Sequence, residues 1–327
     1  MKNLMKLDKL KLKKIKGDAS IRIFYRKEKN NKKSIIVYAN REKTKNLLEY
    51  DAVNKLLIKN KILAPKLYKE NYKENFIEIE DFGDNTVFKL LKKKGSNKID
   101  LYKKSINLLN KIQKIKGNKI KNFQGKNYKV STYDDNKLFK EATLFSDWYA
   151  KKHINKKKLP TFDTEIKKQI KFLLKNIKLK NNTLVHRDFH VSNLMRYKQQ
   201  LATIDTQDAL IGNRAYDLAS LIDDVRFKSN NKIKDNIYDY YLKLNKDKLN
   251  KNILLNDFEI LSVLRNMKII GIFSRLAARD KKTKYLKLIP HAWKLIELRI
   301  KNKKIFGGLK KILDLNFSKE IRKLNEN

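Results

Sequence analysis

Apolar and polar positions alternate through residues 20–27 (SIRIFYRK), and residues 34–40 (SIIVYAN) form a short β-branched run. With the polar stretch KEKNNKK between them, the two segments predict a β-hairpin. Leu47, Leu48, Val53, Leu56 and Leu57 recur at helical spacing and predict a helix over 43–59. Beyond Pro65, residues 66–81 (KLYKENYKENFIEIED) predict a second hairpin with its turn near 71–75. From about residue 97 the period becomes helical, with helices expected at 98–115, 138–152 and 163–178 and a break at Pro160 before the last. Residues 182–205 interrupt the helices with strand-like pieces (LV, NLMRY, LATID), after which helices are expected at 214–224, 232–244, 256–280 and 284–304. The charge-rich stretch 228–252 reads as a mobile surface helix. Strands, one helix and more strands followed by helices alone imply an α+β protein in two lobes: a small mixed N-lobe with an antiparallel sheet and a larger, mainly helical C-lobe.

Composition changes this picture little. A chain of 327 residues, 41% hydrophobic and 10% aromatic, is globular in character, and the absence of cysteine excludes disulfides and thiolate metal sites. No signal-peptide core and no long apolar span are visible, so membrane insertion is not expected and the cytoplasm is the expected location. The net charge of +44 invites a nucleic-acid reading. The excess is lysine spread over the whole length among many Ile and Asn residues, and not Arg and aromatics concentrated in one segment. We read it as general lysine enrichment, with no specific nucleic-acid partner.

The candidate chemistry lies in HRDFHVSN, residues 186–193. Asp188 and Asn193 stand at the spacing of the kinase catalytic loop H-R-D-x-x-x-x-N, in which a carboxylate sits beside the attacking hydroxyl and an amide reaches the metal on the nucleotide phosphates. Asp205 ends the strand-like LATID, where a second metal-binding carboxylate belongs. Asp188 is therefore the candidate catalytic base, and Asn193 and Asp205 the candidate magnesium ligands. His186 is expected to be structural, bonding backbone near Asp205, and Asp208 to be either a substrate contact or the partner of a nearby arginine. Taken singly, each residue has a structural reading as a salt bridge, a turn cap or a strand end; the combination points to phosphoryl transfer.

Together, HRDFHVSNLM, IDTQDALIGNRAYDLASLIDD and the second histidine, His190, resemble the aminoglycoside phosphotransferase/choline kinase family, whose fold is the two-lobed protein-kinase-like one. GDASIRIFYR (17–26), EATLFSDWY (141–149) and residues 264–290 further resemble its bacterial branch of anomeric kinases acting on N-acetylmuramate and N-acetylglucosamine in cell-wall recycling. The resemblance implies an enzyme that uses ATP and Mg2+ to phosphorylate a sugar hydroxyl. It divides the chain into a nucleotide-binding lobe, residues 1–83, and a catalytic and substrate lobe, residues 84–327. Gly17 and Ser20 would form the turn over the phosphates, with Arg22 following. No lysine lies inside SIIVYAN, so the cationic phosphate ligand stays open among Lys33, Lys43 and Arg22, with Glu49 as its candidate acidic partner. His190, Asp208 and Trp148 are candidate substrate contacts, although Trp148 and Tyr149 also read as core packing and Asp217 as a first-turn acid.

After Asp205 only a short stretch precedes the next helical segment, and no Ala-Pro-Glu occurs there, which leaves no room for a peptide platform and implies a small acceptor. Aminoglycoside, choline and homoserine remain alternatives to the amino sugar. A non-catalytic basic scaffold is the reading from another class, and it predicts a damaged catalytic set where this one is intact. One further triplet, Asp81-Phe82-Gly83, spells the kinase metal motif about a hundred residues too early. By position it is the hinge, where backbone of Glu80 to Phe82 would bond adenine, Gly83 would turn the chain and Asp84 would cap the next segment.

Overall fold

A computed structural model describes residues 12–15, 22–39, 46–247 and 249–324. The chain packs as two compact units: residues up to Ser131 together with His186–Leu210, and Thr132–Val185 together with the residues from Ile211 onward. This is a different division from the expected boundary after residue 83, because segments 84–131 and 186–210 pack with the sheet. Among the described residues no helix is long and apolar enough to cross a membrane.

The first unit is built on an antiparallel sheet of β1 (Leu12–Ile15), β2 (Ile23–Lys29), β3 (Lys32–Tyr38), β4 (Leu67–Asn71) and β5 (Phe76–Glu80), in the order β1-β2-β3-β5-β4. Asn30 and Asn31 both take positive φ, 49° and 59°, which makes the tight turn whose twist suits a hairpin, and β2 pairs β3 from Ile23–Tyr38 to Lys29–Lys32. One face of the sheet buries Ile35, Val37, Ile77 and Ile79 against Leu47 and Tyr50 of helix α1 (Asn46–Lys59). Each such side chain contributes about 1.5–3 kcal/mol by leaving water. The expected 43–59 helix thus begins at Asn46 within the described residues.

A hairpin of Lys119–Lys121 and Asn127–Lys129 packs on α1. Sequence patterning did not predict it, since only Ile120 and Tyr128 offer an apolar face among lysines and asparagines. A further two-stranded ladder, Leu194–Tyr197 with Gln200–Thr203, carries the candidate catalytic segments.

The second unit is helical around Lys251–Asp280, a helix of 30 residues that begins five positions earlier than expected because the Asn250 side chain caps it. Gly271 lets this helix approach its neighbour: a Cβ there would lie 2.3 Å from the Leu144 carbonyl carbon. The expected 138–152 helix is instead Asp135–Ala142, a wide π-turn over Phe145–Ala150 and a short turn, Lys151–His153. Pro160 marks the expected break, with the next helix starting at Leu159 instead of 163. It sits in the first turn of Leu159–Lys175, where the missing N–H has no intrahelical partner to lose. Residues 228–252 are not a loose surface helix, because Asn231–Leu244 buries Ile237 and Tyr241 and inserts Lys234 onto Asp223 at 2.6 Å.

Candidate active site

The Thr183–Val185 strand leads into the loop 186–193, and this loop is knitted by its own backbone. The His190 amide donates to the Asp188 carbonyl (2.9 Å) and the Asn193 amide to the His190 carbonyl (2.9 Å). The Asn193 side-chain Nδ2 also donates to the Asp188 carbonyl, at 3.0 Å. With its NH2 turned to that carbonyl, the amide leaves its oxygen on the opposite side. The Ile204 amide donates to the Asn193 carbonyl at 3.0 Å, which ties the strand ending at Asp205 to the loop carrying Asp188. As expected, His186 is buried, and its Nε2 lies 3.0 Å from the Ile204 carbonyl. His190 is buried as well.

Two residues of this site hold left-handed backbone without being glycine: Arg187 at φ 73° and Asp205 at φ 64°. Such conformations cost on the order of 1–3 kcal/mol each and persist only where surrounding contacts impose them. For Asp205 those contacts are visible. Thr206 donates its hydroxyl to Asn54 Oδ1 on α1 at 2.6 Å, both groups being buried, and Asn54 in turn donates to the Pro65 carbonyl at 3.1 Å. Asp205 itself accepts from Arg22 at 2.6 Å, with side-chain exposures of 5% for the arginine and 34% for the acid. The Arg22 guanidinium also lies 5.9 Å from the Phe24 ring and 5.8 Å from the Tyr50 ring. Neither Asn54 nor Tyr50 was singled out from the sequence, whose helix mixes charged and apolar residues and does not mark Asn54 as buried.

Electrostatics mark the same place. Burial raises the Asp205 carboxyl above its ordinary pKa; Arg22 and His186 oppose this, while the Asp188 and Asp208 carboxylates reinforce it. A desolvated carboxylate facing a second one is a site that a cation relieves. Among the described residues no three His, Cys, Asp or Glu side chains form a metal cluster. The donors present are one carboxylate and one amide oxygen, a hard and incomplete set that suits Mg2+, which keeps waters and binds substrate phosphates.

The other candidates are dispersed. Asp208 is half-exposed. Its carboxylate accepts from Gln207 at 2.6 Å, and Arg187 donates to its carbonyl at 3.2 Å with the two side chains 3.9 Å apart, so it does have a nearby arginine. Of the three candidate phosphate cations, Arg22 joins the site; Lys33 is exposed and pairs with Glu28 at 3.8 Å, and Lys43 lies outside the described residues, as do Gly17 and Ser20. Trp148 is half-buried in the π-turn of the second unit, and Tyr149 beside it is core, accepting from Trp293 Nε1 at 3.0 Å. Asp217 is fully buried in the first turn of Ala215–Ile222.

The early Asp81-Phe82-Gly83 is occupied structurally. The Asp81 carboxylate, 3% exposed, takes both Arg26 Nε (2.6 Å) and Nη2 (3.1 Å), and accepts the Gly83 amide at 2.7 Å. Gly83 stands at φ +77°, which suits a turn only glycine makes freely. Phe82 is buried with Met195 and Ala202 and meets Tyr197 at 4.6 Å between centroids. Asp84 does not cap the next helix: it pairs with Arg26 at 2.9 Å, and Thr86 caps Val87–Lys92 by accepting from Lys89 N. The Glu80 N–H is also engaged, donating to the Lys66 carbonyl at 2.9 Å.

A loop carrying Asp188 and Asn193, tied to the strand that ends at Asp205 and joined by Arg22 next to an antiparallel sheet, is the arrangement expected of a kinase-like phosphotransferase. The chain belongs to the phosphotransferase enzyme family, whose model matches residues 11–249. It is similar to the N-acetylmuramate/N-acetylglucosamine kinase of Pseudomonas aeruginosa, 24% identical over 303 residues that cover 91% of this chain and 86% of that enzyme. The kinase of the same name from Caulobacter vibrioides is 26% identical over 245 residues, covering 72% of this chain and 65% of the relative, just under two thirds of its length. Among solved structures, a choline kinase from Streptococcus pneumoniae has the same fold, with a TM-score of 0.61 at 12% identity over 95% of this chain and 99% of that one. The fold is therefore the protein-kinase-like one.

Proposed function

We propose that this protein transfers the γ-phosphoryl group of ATP to a sugar hydroxyl, the anomeric hydroxyl of N-acetylmuramate or N-acetylglucosamine. The observation that carries the reading is the intact set Asp188, Asn193 and Asp205, with Asn193 bonded to the Asp188 carbonyl and tied through Ile204 to the strand that ends at Asp205; the names of its relatives supply the sugar. Asp188 orients the acceptor hydroxyl and takes its proton as the oxygen attacks phosphorus. Asn193 Oδ1 and the Asp205 carboxylate would hold Mg2+, which would supply neutralisation of phosphate charge. Arg22 keeps the Asp205 carboxylate in place and adds positive charge beside the phosphates. In this reading residues 1–83 serve the nucleotide, with Gly17 and Ser20 over the phosphates and the Glu80 carbonyl and Phe82 backbone at the adenine, while His190, Asp208 and Trp148 serve the acceptor. A cytoplasmic location accords with a supply of ATP.

The test is consumption of Mg-ATP by purified protein against both amino sugars, with choline, homoserine and an aminoglycoside as competitors for the assignment. Turnover of either amino sugar, lost when Asp188 is changed to Asn by the 10²–10⁴-fold typical of a general base, is the expected result. Turnover of choline or an aminoglycoside in place of both sugars overturns the acceptor.

A further inference from the structure

Two stretches far apart in sequence wall one cleft in the first unit. Helix Val87–Lys92 ends at Lys93, and the chain turns through Gly95, at φ 75°, into helix Lys98–Gln113. The other wall is the tight turn of the Leu194–Tyr197 and Gln200–Thr203 ladder, made by positive φ at Lys198 and Gln199, 44° and 65°. Val87–Lys92 packs on the first strand of this ladder and Lys98–Gln113 on the second. Bend and turn leave a cavity of about 310 Å³ between them, at the lower end of the ~300–1,000 Å³ typical of small-molecule sites.

The lining has one dominant sign. Lys93, Lys94, Lys104 and Arg196 bring four cations, and Asp100 brings one carboxylate, which Lys104 takes at 2.7 Å. Among the described residues the side chains of Lys93 and Lys94 have no hydrogen bond or ion pair. Arg196 Nη2 donates to Gln199 Oε1 at 2.8 Å, which anchors the guanidinium at the cavity and leaves its other N–H groups to a ligand. Leu90, Leu101 and Leu201 add an apolar wall. Lysine is abundant throughout this chain, so lysines alone would mean little. Here like charges surround a concavity, with an anchored arginine among them and no acid offsetting three of the four. Such a cleft focuses a positive potential that an anion relieves.

We propose that this cleft binds a small organic phosphate, at a site apart from the Asp188 centre and independent of the sugar-kinase reading. None of Asp188, Asn193, Asp205 and Arg22 lines it. A phosphate ester carries about −1.5 to −2 charge at neutral pH and three acceptor oxygens, which suits two unpaired lysines and an arginine fork better than a monocarboxylate does. The leucine wall takes the carbon skeleton of the ester, which bare phosphate lacks. A nucleic-acid strand fits less well, because no aromatic side chain lines the cavity for a base to stack on. Both walls are tied to the loop 186–193: the Phe88 amide donates to the Val191 carbonyl at 2.9 Å, and Arg196 lies three positions past Asn193. The occupant therefore sits on the framework that carries the candidate catalytic loop.

Calorimetric titration of the full chain at about 0.15 M ionic strength tests this. The probes are glycerol 3-phosphate, glycerol, inorganic phosphate and a single-stranded RNA oligomer. The variants are Arg196→Gln, the pair Lys93→Gln with Lys94→Gln, and, as a control for general charge, the exposed pair Lys175→Gln with Lys301→Gln. Glycerol 3-phosphate is expected to bind the wild type more tightly than inorganic phosphate does, and glycerol not to bind. Arg196→Gln and the Lys93/Lys94 pair are each expected to weaken the ester by about tenfold or more, the scale of a lost charge-assisted contact, and the control pair to stay within about twofold. Arg196, Lys93 and Lys94 are exposed, so these variants should melt with the wild type when no ligand is present. Glycerol 3-phosphate should then raise the melting temperature of the wild type and the control alone. No binding by the wild type, equal affinity for inorganic phosphate, an unchanged affinity in Arg196→Gln, or an equal loss in the control pair overturns the proposal. RNA binding that falls in Arg196→Gln, where the ester does not bind the wild type, overturns it in favour of nucleic acid.

Discussion

The Arg22 guanidinium donates to the Asp205 carboxylate at 2.6 Å, across 183 positions of sequence. This bond joins the residue leading into β2 to the carboxylate proposed to hold the metal. Arg22→Met is expected to lower kcat by on the order of 10²-fold, the scale of losing one preorganised charge donor, with Arg22→Lys recovering part of it. Steady-state kinetics with ATP varied checks this; an unchanged kcat for Arg22→Met contradicts the role.

The two aspartates that carry metal-motif spelling should separate cleanly. Asp205→Asn removes a proposed metal ligand and is expected to cost about 10²-fold or more in kcat. Asp81→Asn breaks a nearly buried pair with Arg26 and is expected to cost ~1–3 kcal/mol of stability, with turnover within about tenfold of wild type. Urea midpoints and kcat, measured on both variants, distinguish a structural acid from a catalytic one.

Thr206 holds the strained Asp205 through Asn54. Thr206→Val keeps the shape but leaves Asn54 Oδ1 without its donor, so a loss of about 1–3 kcal/mol is expected together with reduced kcat. Thr206→Ser should stay near wild type in both. A valine variant that matches wild type in urea and in turnover would show that the anchor is idle.

Stability should depend on pH through His291. Burial, then the ammoniums of Lys234 and Lys228, lower its pKa from 6.5 to about 4. The unfolded chain therefore takes up this proton near pH 6.5, while the folded chain resists until about pH 4. Between these values the unfolded state binds more protons, and stability falls as pH falls. His291→Gln is expected to flatten that part of the curve of Tm against pH; thermal melts across the window check it, and parallel curves for the two proteins sink the assignment.

How much was legible depended on how local each signal is. The Asp188–Asn193 spacing is local, set by one loop, and points to phosphoryl transfer from the letters alone. The first hairpin was legible because Asn30 and Asn31 tolerate positive φ between two apolar runs. The hairpin 119–129 was not, because its strands carry too little apolar surface to stand alone and form by packing on α1. Pro160 marked the break between helices, while its place inside the first turn of the next helix, instead of ahead of it, was decided by the folded chain.

The sequence by itself determined the family, the candidate catalytic trio, and the order of a sheet followed by helices. These depend on residue types at short spacings and on apolar periodicity, which survive as a pattern of letters. Tertiary structure alone decided that Arg22 is the cation at Asp205, that Asp81 belongs to Arg26, that Thr206 hangs from Asn54, and that Lys93 and Lys94 line one cavity with Arg196. Each of these is a statement about charge or hydrogen bonding over tens to hundreds of residues of separation. Whether a polar group is paired depends on what the folded chain places within about 3 Å of it, and no pattern along the chain encodes that distance.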